Sequence, residues 1–338
     1  MNALINKGES IFIAGGHGMV GSAIFRNLLN SGYGRKELGG KILRPSRRDL
    51  DLTNYESLNK WFINNKPTVV IISAAKVGGI FANEQFPYDF LLDNLKIETN
   101  LMELSMIHNV KRLLFLGSSC IYPKYSKQPI TEDELLTSPL EETNQFYAIA
   151  KIAGLKLCEA MRSQHNFDAI CLMPTNLYGP KDNYHPTNSH VIPSLIRKFQ
   201  DAKDKDINSV ICWGSGDPLR EFLHVDDLAE ACTFVLEKWD PRNMVDSSSI
   251  PNNQLCWLNV GSQNEISIKD LAKLISNYVG YKGKIIWDKS KPDGTPRKKL
   301  ETSRLYNLGW LPKIDLKRGI KATIEDYKKE RIRKDNRL

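Results

Sequence analysis

The sequence predicts an α/β protein, a doubly wound parallel sheet with a smaller C-terminal α/β substrate domain. Three observations lead there. Short β-branched apolar runs alternate with helical patterns through the first half of the chain, which implies right-handed crossovers. The runs Val69-Val70-Ile71-Ile72 and Leu113-Leu114-Phe115-Leu116 have no polar face, as in strands buried on both sides. After Pro180 the pattern changes: loops lengthen, and Pro and Asn become common.

In order, strands are expected at 10–14, 40–44, 68–74, 112–117 and 168–173. Helices are expected between them at 19–30, 54–64, 88–108 and 145–164. The segment 240–254 has the composition of a surface loop, and Leu255 to Val260 reads as a further strand. A helix over 264–280 is opened by Ser267 and closed near Gly280, and a last helix starts near Leu316. The expected division is 1–178 plus 222–262 for the first domain and 179–221 plus 263–330 for the second, with a disordered tail at 331–338.

Composition narrows the class. At 338 residues, 41% hydrophobic and 25% charged, the chain suits a soluble globular protein with one large or two medium domains. No run of 18 apolar residues is present and the first residues lack the apolar core of a signal peptide, so a cytoplasmic protein is expected, with no membrane partner. The six cysteines include no CxxC pair and the six histidines no HExxH, which argues for free thiols and no metal. Net charge is +8, and residues 328–338 supply half of it with six basic and two acidic residues. No basic stripe lies within the fold, so nucleic acid is not an expected partner, whereas an anionic small substrate is.

The first strand runs into Gly15-Gly16-His17-Gly18-Met19-Val20-Gly21, of the form GxxGxxG. Glycines at 15, 18 and 21 allow a tight turn and close approach to a pyrophosphate, and the amides at Met19 and Val20 open the next helix towards the anion. A Rossmann-type dinucleotide site is expected. The second strand ends in Leu43-Arg44-Pro45-Ser46-Arg47-Arg48 instead of the carboxylate that reads a free ribose. Arg44, Arg47 and Arg48 suit a 2′-phosphate, hence NADP(H), against the alternative of a solvated basic loop. Asp51 and Leu52 come too late for the ribose and are expected to flank the adenine.

Tyr147 and Lys151 form a YxxxK pair on one helix face. An ammonium beside a phenol lowers the phenol's pKa from about 10 and makes it a usable acid or base at a carbonyl oxygen. The pair follows a strand ending in Ser118-Ser119, whose hydroxyl suits the same oxygen. Residue type alone leaves Cys120 open between core filler and reagent, His190 between helix cap and acid, and Trp213 between packed loop residue and aromatic platform.

Together Ser118, Tyr147 and Lys151 resemble the extended short-chain dehydrogenase/reductase superfamily. Longer motifs, AAKVGGI (74–80), LGSSCIYP (116–123), YAIAKIAG (147–154), MPTNLYGP (173–180), NSHVIP (188–193), WGSG (213–216), REFLHVDD (220–227) and KPDGTPRK (291–298), resemble the GDP-L-fucose synthase family over about residues 9–325. The resemblance implies NADPH, a homodimer and a GDP-sugar substrate whose C3 and C5 are epimerised before C4 is reduced. It makes Cys120 the base, His190 the acid, and Ser118, Tyr147 and Lys151 the reduction machinery. Free cysteine and histidine, with pKa values of about 8.5 and 6.5, each exchange protons near neutrality. The cofactor contacts it implies are Ala74, Ala75, Leu116, Gly117, Tyr147 and Lys151, then Pro174, Asn176, Leu177 and His190. The substrate contacts are Ser119, Asn176, Lys198, Trp213, Arg220 and Asp293. Here His17 replaces a loop arginine, and Lys198 and Lys284 stand where arginine is frequent, keeping charge but losing the bidentate fork. Three other readings stay open: an enzyme for a related GDP-4-keto sugar such as a 6-deoxyheptose, a nucleotide-sugar 4-epimerase, and a non-catalytic NADP-binding sensor or scaffold.

Overall fold

The computed structural model describes residues 3–186, 188–243, 255–291 and 293–335. The first half alternates as β1 (Ser10–Ala14), α1 (Met19–Asn30), β2 (Lys41–Leu43), α2 (Tyr55–Asn65), β3 (Val69–Ile72), α3 (Ile80–Gln85), α4 (Pro87–Ile107), β4 (Arg112–Leu116), α5 (Gln145–His165), β5 (Ala169–Pro174) and β6 (Asn176–Tyr178). The rest comprises α6 (Val191–Asp204), β7 (Ser209–Trp213), β8 (Leu219–His224), α7 (Val225–Lys238), β9 (Trp257–Val260), β10 (Glu265–Ser267), α8 (Ile268–Val279), β11 (Lys284–Asp288), β12 (Arg297–Lys298), α9 (Ser303–Asn307) and α10 (Leu316–Asp335).

Six strands form one parallel sheet in the order β2-β1-β3-β4-β5-β9. Period-two alternation splits each strand between two cores. Phe12, Val70, Ile72, Leu113 and Phe115 face Leu58, Phe62, Leu101 and Leu155 of α2, α4 and α5. Ile11, Ile13, Val69, Ile71 and Leu114 face Ile24, Leu28, Leu228 and Val235 of α1 and α7. This explains why β3 and β4 read as continuously apolar.

Strand order reverses at β1, between β2 and β3, and such a switch point opens a crevice at the strands' carboxyl ends. The glycine loop and the Ser118 turn both leave the sheet at that edge, after β1 and β4. A third core, with Ile196, Phe199, Leu271, Ile275 and Ile320, holds α6, α8 and α10 together. Beside it, β8 pairs with β6, β10 and β12, and β7 pairs with β11. The chain therefore weaves: β8 lies in the second sheet, α7 packs on α1, and β9 returns to the first sheet.

The expected helix over 264–280 divides. Residues 265–267 pair with β8, and the helix proper begins after Ser267, whose side chain accepts from Asp270 N at 3.0 Å. Gly280 closes it at φ 79°. Residues 331–335 continue α10, where Arg331 pairs with Asp204 at 2.8 Å. Residues 244–254, within the segment expected as a loop, and 336–338 of the expected tail lie outside the described residues. Among the described residues no helix is long and apolar enough to cross a membrane.

Candidate active site

The turn after β1 is a cradle that tolerates no side chain at its first glycine. Gly15 sits at φ 82°, and a Cβ there would stand 2.7 Å from Ala74 N. Gly18 hands over directly to α1, so that helix's free amides face the turn. His17, exposed, ties the loop to β2 through a 2.9 Å contact from Nε2 to Arg44 O. The Arg44 guanidinium lies 3.8 Å over the Phe25 ring, and Arg47 and Arg48 project into solvent near the same strand end. Asp51 is exposed and accepts from Thr53 N and Oγ1 at 2.9 and 2.8 Å, which hold its carboxyl below the usual range. These features fit a dinucleotide with an anionic group near Arg44. Ala74 and Ala75 follow β3, Leu116 and Gly117 end β4, and Pro174 ends β5, all on the same edge of the sheet.

At the end of β4 the chain makes a single 3₁₀ turn over Ser119–Ile121, which presents Ser118 and Cys120 side by side. Ser118 Oγ accepts from Cys120 N at 3.2 Å. From α5 the Tyr147 hydroxyl comes near enough to the Ser118 side chain to be influenced by it. The Cys120 thiol is half-buried, unlike the five other cysteines, which are buried. It accepts from Lys298 Nζ at 3.4 Å and Asn144 Nδ2 at 3.7 Å. Burial lowers the Arg220 guanidinium from its ordinary value, and the nearby Cys120 and Asp293 side chains pull the other way.

His190 is the first-turn boundary of α6, but its ring makes no cap hydrogen bond, which leaves it available. It is solvent-accessible, yet the cleft wall crowds it. That crowding first, and the Lys298 ammonium second, push its imidazole below the ordinary value. Lys298 thus faces both the thiol and the imidazole.

One expectation is corrected. Tyr147 was expected to ionise more easily beside Lys151, but the phenol is pushed up instead. Burial is the largest cause, followed by negative charge at Cys120 and Glu98, while the Ser118 side chain pulls the other way. Lys151 is occupied elsewhere. Its Nζ stands 2.8 Å from Glu98 Oε1, donates to Leu116 O at 3.1 Å, and is 5.9 Å from the Tyr147 ring centre.

Trp213 stands 59% exposed at the end of β7, with Lys198 Nζ 5.8 Å and Lys291 Nζ 5.7 Å from its ring. Lys198 also donates to Ile211 O at 3.3 Å. Asp293 accepts from Ser215 N at 2.7 Å and fastens the loop after Trp213. Asn176 Nδ2 donates to Glu221 O at 2.9 Å, so its side chain braces β6 against β8. The structure therefore gathers Ser118, Tyr147 and Arg220 around Cys120, and Lys298 links the thiol to His190. Trp213, Lys198 and Asp293 form a neighbouring ridge. Sequence reasoning missed Glu98, Asn144 and Lys298 as functional candidates, although Lys298 closes the KPDGTPRK run.

The loop before His190 carries a further titrating group. Asp182 is 8% exposed, its Oδ2 has no hydrogen-bond partner, and burial pushes its carboxyl up to about 7. A folded-state pKa above the unfolded value means stability is fully present below pH 4 and falls as pH rises towards 7. Asp182→Asn is expected to stabilise the protein by roughly 1–4 kcal/mol at pH 8 and hardly at pH 4. Urea unfolding at the two pH values checks this, and an equal effect at both would exclude it.

A parallel sheet with a glycine cradle at its switch point and a Ser-Tyr-Lys set at the end of β4 defines a nicotinamide-dependent enzyme that works at a carbonyl or hydroxyl carbon. The family model of the NAD dependent epimerase/dehydratase family matches residues 11–245. The chain is 51% identical over 331 residues to a putative GDP-L-fucose synthase 2 of Arabidopsis thaliana, covering 98% of this chain and 95% of that one. It is 46% identical over 319 residues to the GDP-L-fucose synthase of Escherichia coli K12, covering 94% and 96%. A GDP-mannoheptose C4 reductase from Campylobacter jejuni, solved with NADP bound, superposes with TM-score 0.84 at 33% identity, covering 96% and 99%. The chain belongs to the GDP-L-fucose synthase family.

Proposed function

We propose that the protein converts GDP-4-dehydro-6-deoxy-α-D-mannose to GDP-β-L-fucose, with 3,5-epimerisation followed by NADPH-dependent 4-reduction. The observation that carries the reading is the thiol: Cys120 is the one half-buried cysteine, and it sits beside the Ser118–Tyr147 pair. Reduction needs only Ser118, Tyr147 and Lys151. A proton-transfer group at the same carbonyl is needed only where neighbouring carbons are inverted. Near-full-length identity of 46–51% to GDP-L-fucose synthases supports the same substrate.

The C4 ketone acidifies the C3 and C5 protons, because loss of either places charge on O4. Cys120 takes a proton and His190 returns one from the other face. Lys298, which faces both, balances the charge that moves between them. The Ser118 and Tyr147 hydroxyls hold the enolate oxygen as donors aimed at developing charge. The cofactor, held by the Gly15–Gly21 cradle, Arg44 and Lys151, supplies the hydride when bound. Tyr147 then gives O4 its proton, a role that suits a phenol held in its protonated form. Arg220 and the Trp213 ridge receive the diphosphate and base, with Asp293 holding the loop.

Preference for NADPH over NADH is assigned to Arg44, with Arg47 and Arg48 beside it. A homodimer is assigned to α4 and α5, which pack together and leave Tyr88, Phe146 and Ile149 at 72%, 38% and 42% exposed. A cytoplasmic location fits both the reduced thiols and the nucleotide-sugar substrate. The deciding experiment is incubation with GDP-4-dehydro-6-deoxy-mannose and NADPH. GDP-L-fucose is expected, with solvent deuterium at C3 and C5. Reduction without inversion, or turnover of a 6-deoxyheptose analogue alone, would overturn the assignment in favour of a simple reductase.

A further inference from the structure

Glu98 is a buried acid that the proposed chemistry does not use. It projects from α4 beneath the Ser118–Tyr147 pair, 1% exposed, with Oε1 2.8 Å from Lys151 Nζ. Lys151 is itself only 2% exposed and lies 4.7 Å from the Phe115 ring centre. Two charges this deep persist only as a pair. The neighbouring backbone is built around the acid. Gly154, one turn along α5 from Lys151, has space only for hydrogen, because a Cβ there would stand 2.8 Å from Glu98 Oε2 and 2.6 Å from Phe115 Cζ. A glycine in the middle of a helix costs about 1 kcal/mol relative to alanine, so the carboxylate's room is taken at the expense of the helix.

We propose that Glu98 is a positioning residue that neutralises Lys151 and keeps Tyr147 in the proton-donating form that reduction requires. This rests on the reductase reading of the site. A lone ammonium beside a phenol favours phenolate, which suits alcohol oxidation. With the carboxylate behind it, the ammonium is drawn back to Glu98 and Leu116 O, and the phenol keeps its proton. The charged and titrating groups facing Tyr147 are Glu98 from α4, Lys151 on its own helix, and Cys120 and Ser118 from the turn after β4. Those facing Glu98 are Lys151, Tyr147 and the Cys158 thiol. Burial raises the Glu98 carboxyl, and Lys151 pulls it back.

The test reads Tyr147 directly, without turnover. Tyrosinate absorbance is titrated in wild type and in Tyr147→Phe, and the difference isolates the one phenol. The same difference is then taken in Glu98→Gln and Glu98→Asp. Glu98→Gln keeps the side chain's shape and removes its charge. Tyr147 is expected to ionise lower by about half a unit or more, and Glu98→Asp to restore most of the wild-type titration. The alkaline limb of ketosugar reduction should move with it in Glu98→Gln. Coincident titrations in wild type and Glu98→Gln would overturn the proposal. If Glu98→Gln does not fold, wild type still decides, because a Tyr147 that ionises below the ordinary phenol value of about 10 is incompatible with the proposal. Absence of reduction by wild type would instead overturn the functional reading and leave the titration standing.

Discussion

Cys120→Ser is expected to yield a protein that still oxidises NADPH against the ketosugar but releases a GDP-6-deoxyhexose with C3 and C5 uninverted. A serine hydroxyl fills nearly the same space and keeps donors at Lys298 and Asn144 within reach, so the turn after β4 is retained. What is lost is a group that exchanges a proton near neutral pH. Removing a positioned general base typically costs 10²–10⁴-fold, and epimerisation is expected to fall by about that factor. Reduction, which uses Ser118, Tyr147 and Lys151, should fall far less. Product stereochemistry and deuterium uptake from solvent, measured beside NADPH loss, separate the two activities. Equal loss of both would show that the cysteine serves the turn and not the proton transfer.

Tyr147→Phe is the complementary case. The phenol is the only one of the proposed groups assigned to donate a proton to O4 during reduction, so the reductive rate is expected to drop by about 10²–10⁴. Exchange at C3 and C5 should persist at a reduced level, because Cys120 and His190 remain while one of two oxygen donors is gone. Folding should be little changed, since the ring and its packing are kept and only the hydroxyl beside Ser118 is lost. Single-turnover NADPH oxidation set against solvent exchange measures the split. A variant that loses both activities in parallel would place Tyr147 in substrate binding instead.

A stability counterpart concerns the helix that carries this tyrosine. Gly154→Ala should gain about 1 kcal/mol of helix propensity, but the contacts with Phe115 and Glu98 more than offset it. A net loss of roughly 1–3 kcal/mol is expected by thermal unfolding. A more stable variant would show that α4 and α5 move apart freely.

The parts of the fold legible in the sequence are those written in local patterns. The apolar runs at 69–72 and 113–116 announce strands buried on both faces, and the glycines after β1 announce the phosphate turn. Ser267 and Gly280 mark the ends of α8 because caps are chosen by local backbone chemistry. Residues 265–267 were read as helix because three residues carry too little periodicity to show that their partner is β8, some 45 positions earlier.

The site divides the same way. Tyr147 and Lys151 are visible as a spacing, and Cys120 as a neighbour of Ser118. Glu98 and Lys298 are not visible, since a lone acid within a helix and a lysine in a basic run look like solvated surface. Only the packing of α4 on α5, and the return of β12 to β8, brings them to the tyrosine and the thiol. The error over Tyr147 has that origin: the lysine was recognised, and its counter-ion was not.

The weave of the chain also bears on how the protein is made. Strand β5 is fully buried, and its outer edge is covered by β9, which is synthesised more than eighty residues later. Helix α7, which packs on α1, likewise emerges some two hundred positions after it. Until about residue 260 has left the ribosome, the nascent sheet ends in a bare apolar ladder of the kind that recruits other chains. A fragment ending after Tyr178 would contain the cradle, the thiol and the tyrosine, yet it would keep that edge open permanently. The sheet expected from the sequence as a cofactor-binding unit is thus completed late in synthesis, only once β9 arrives.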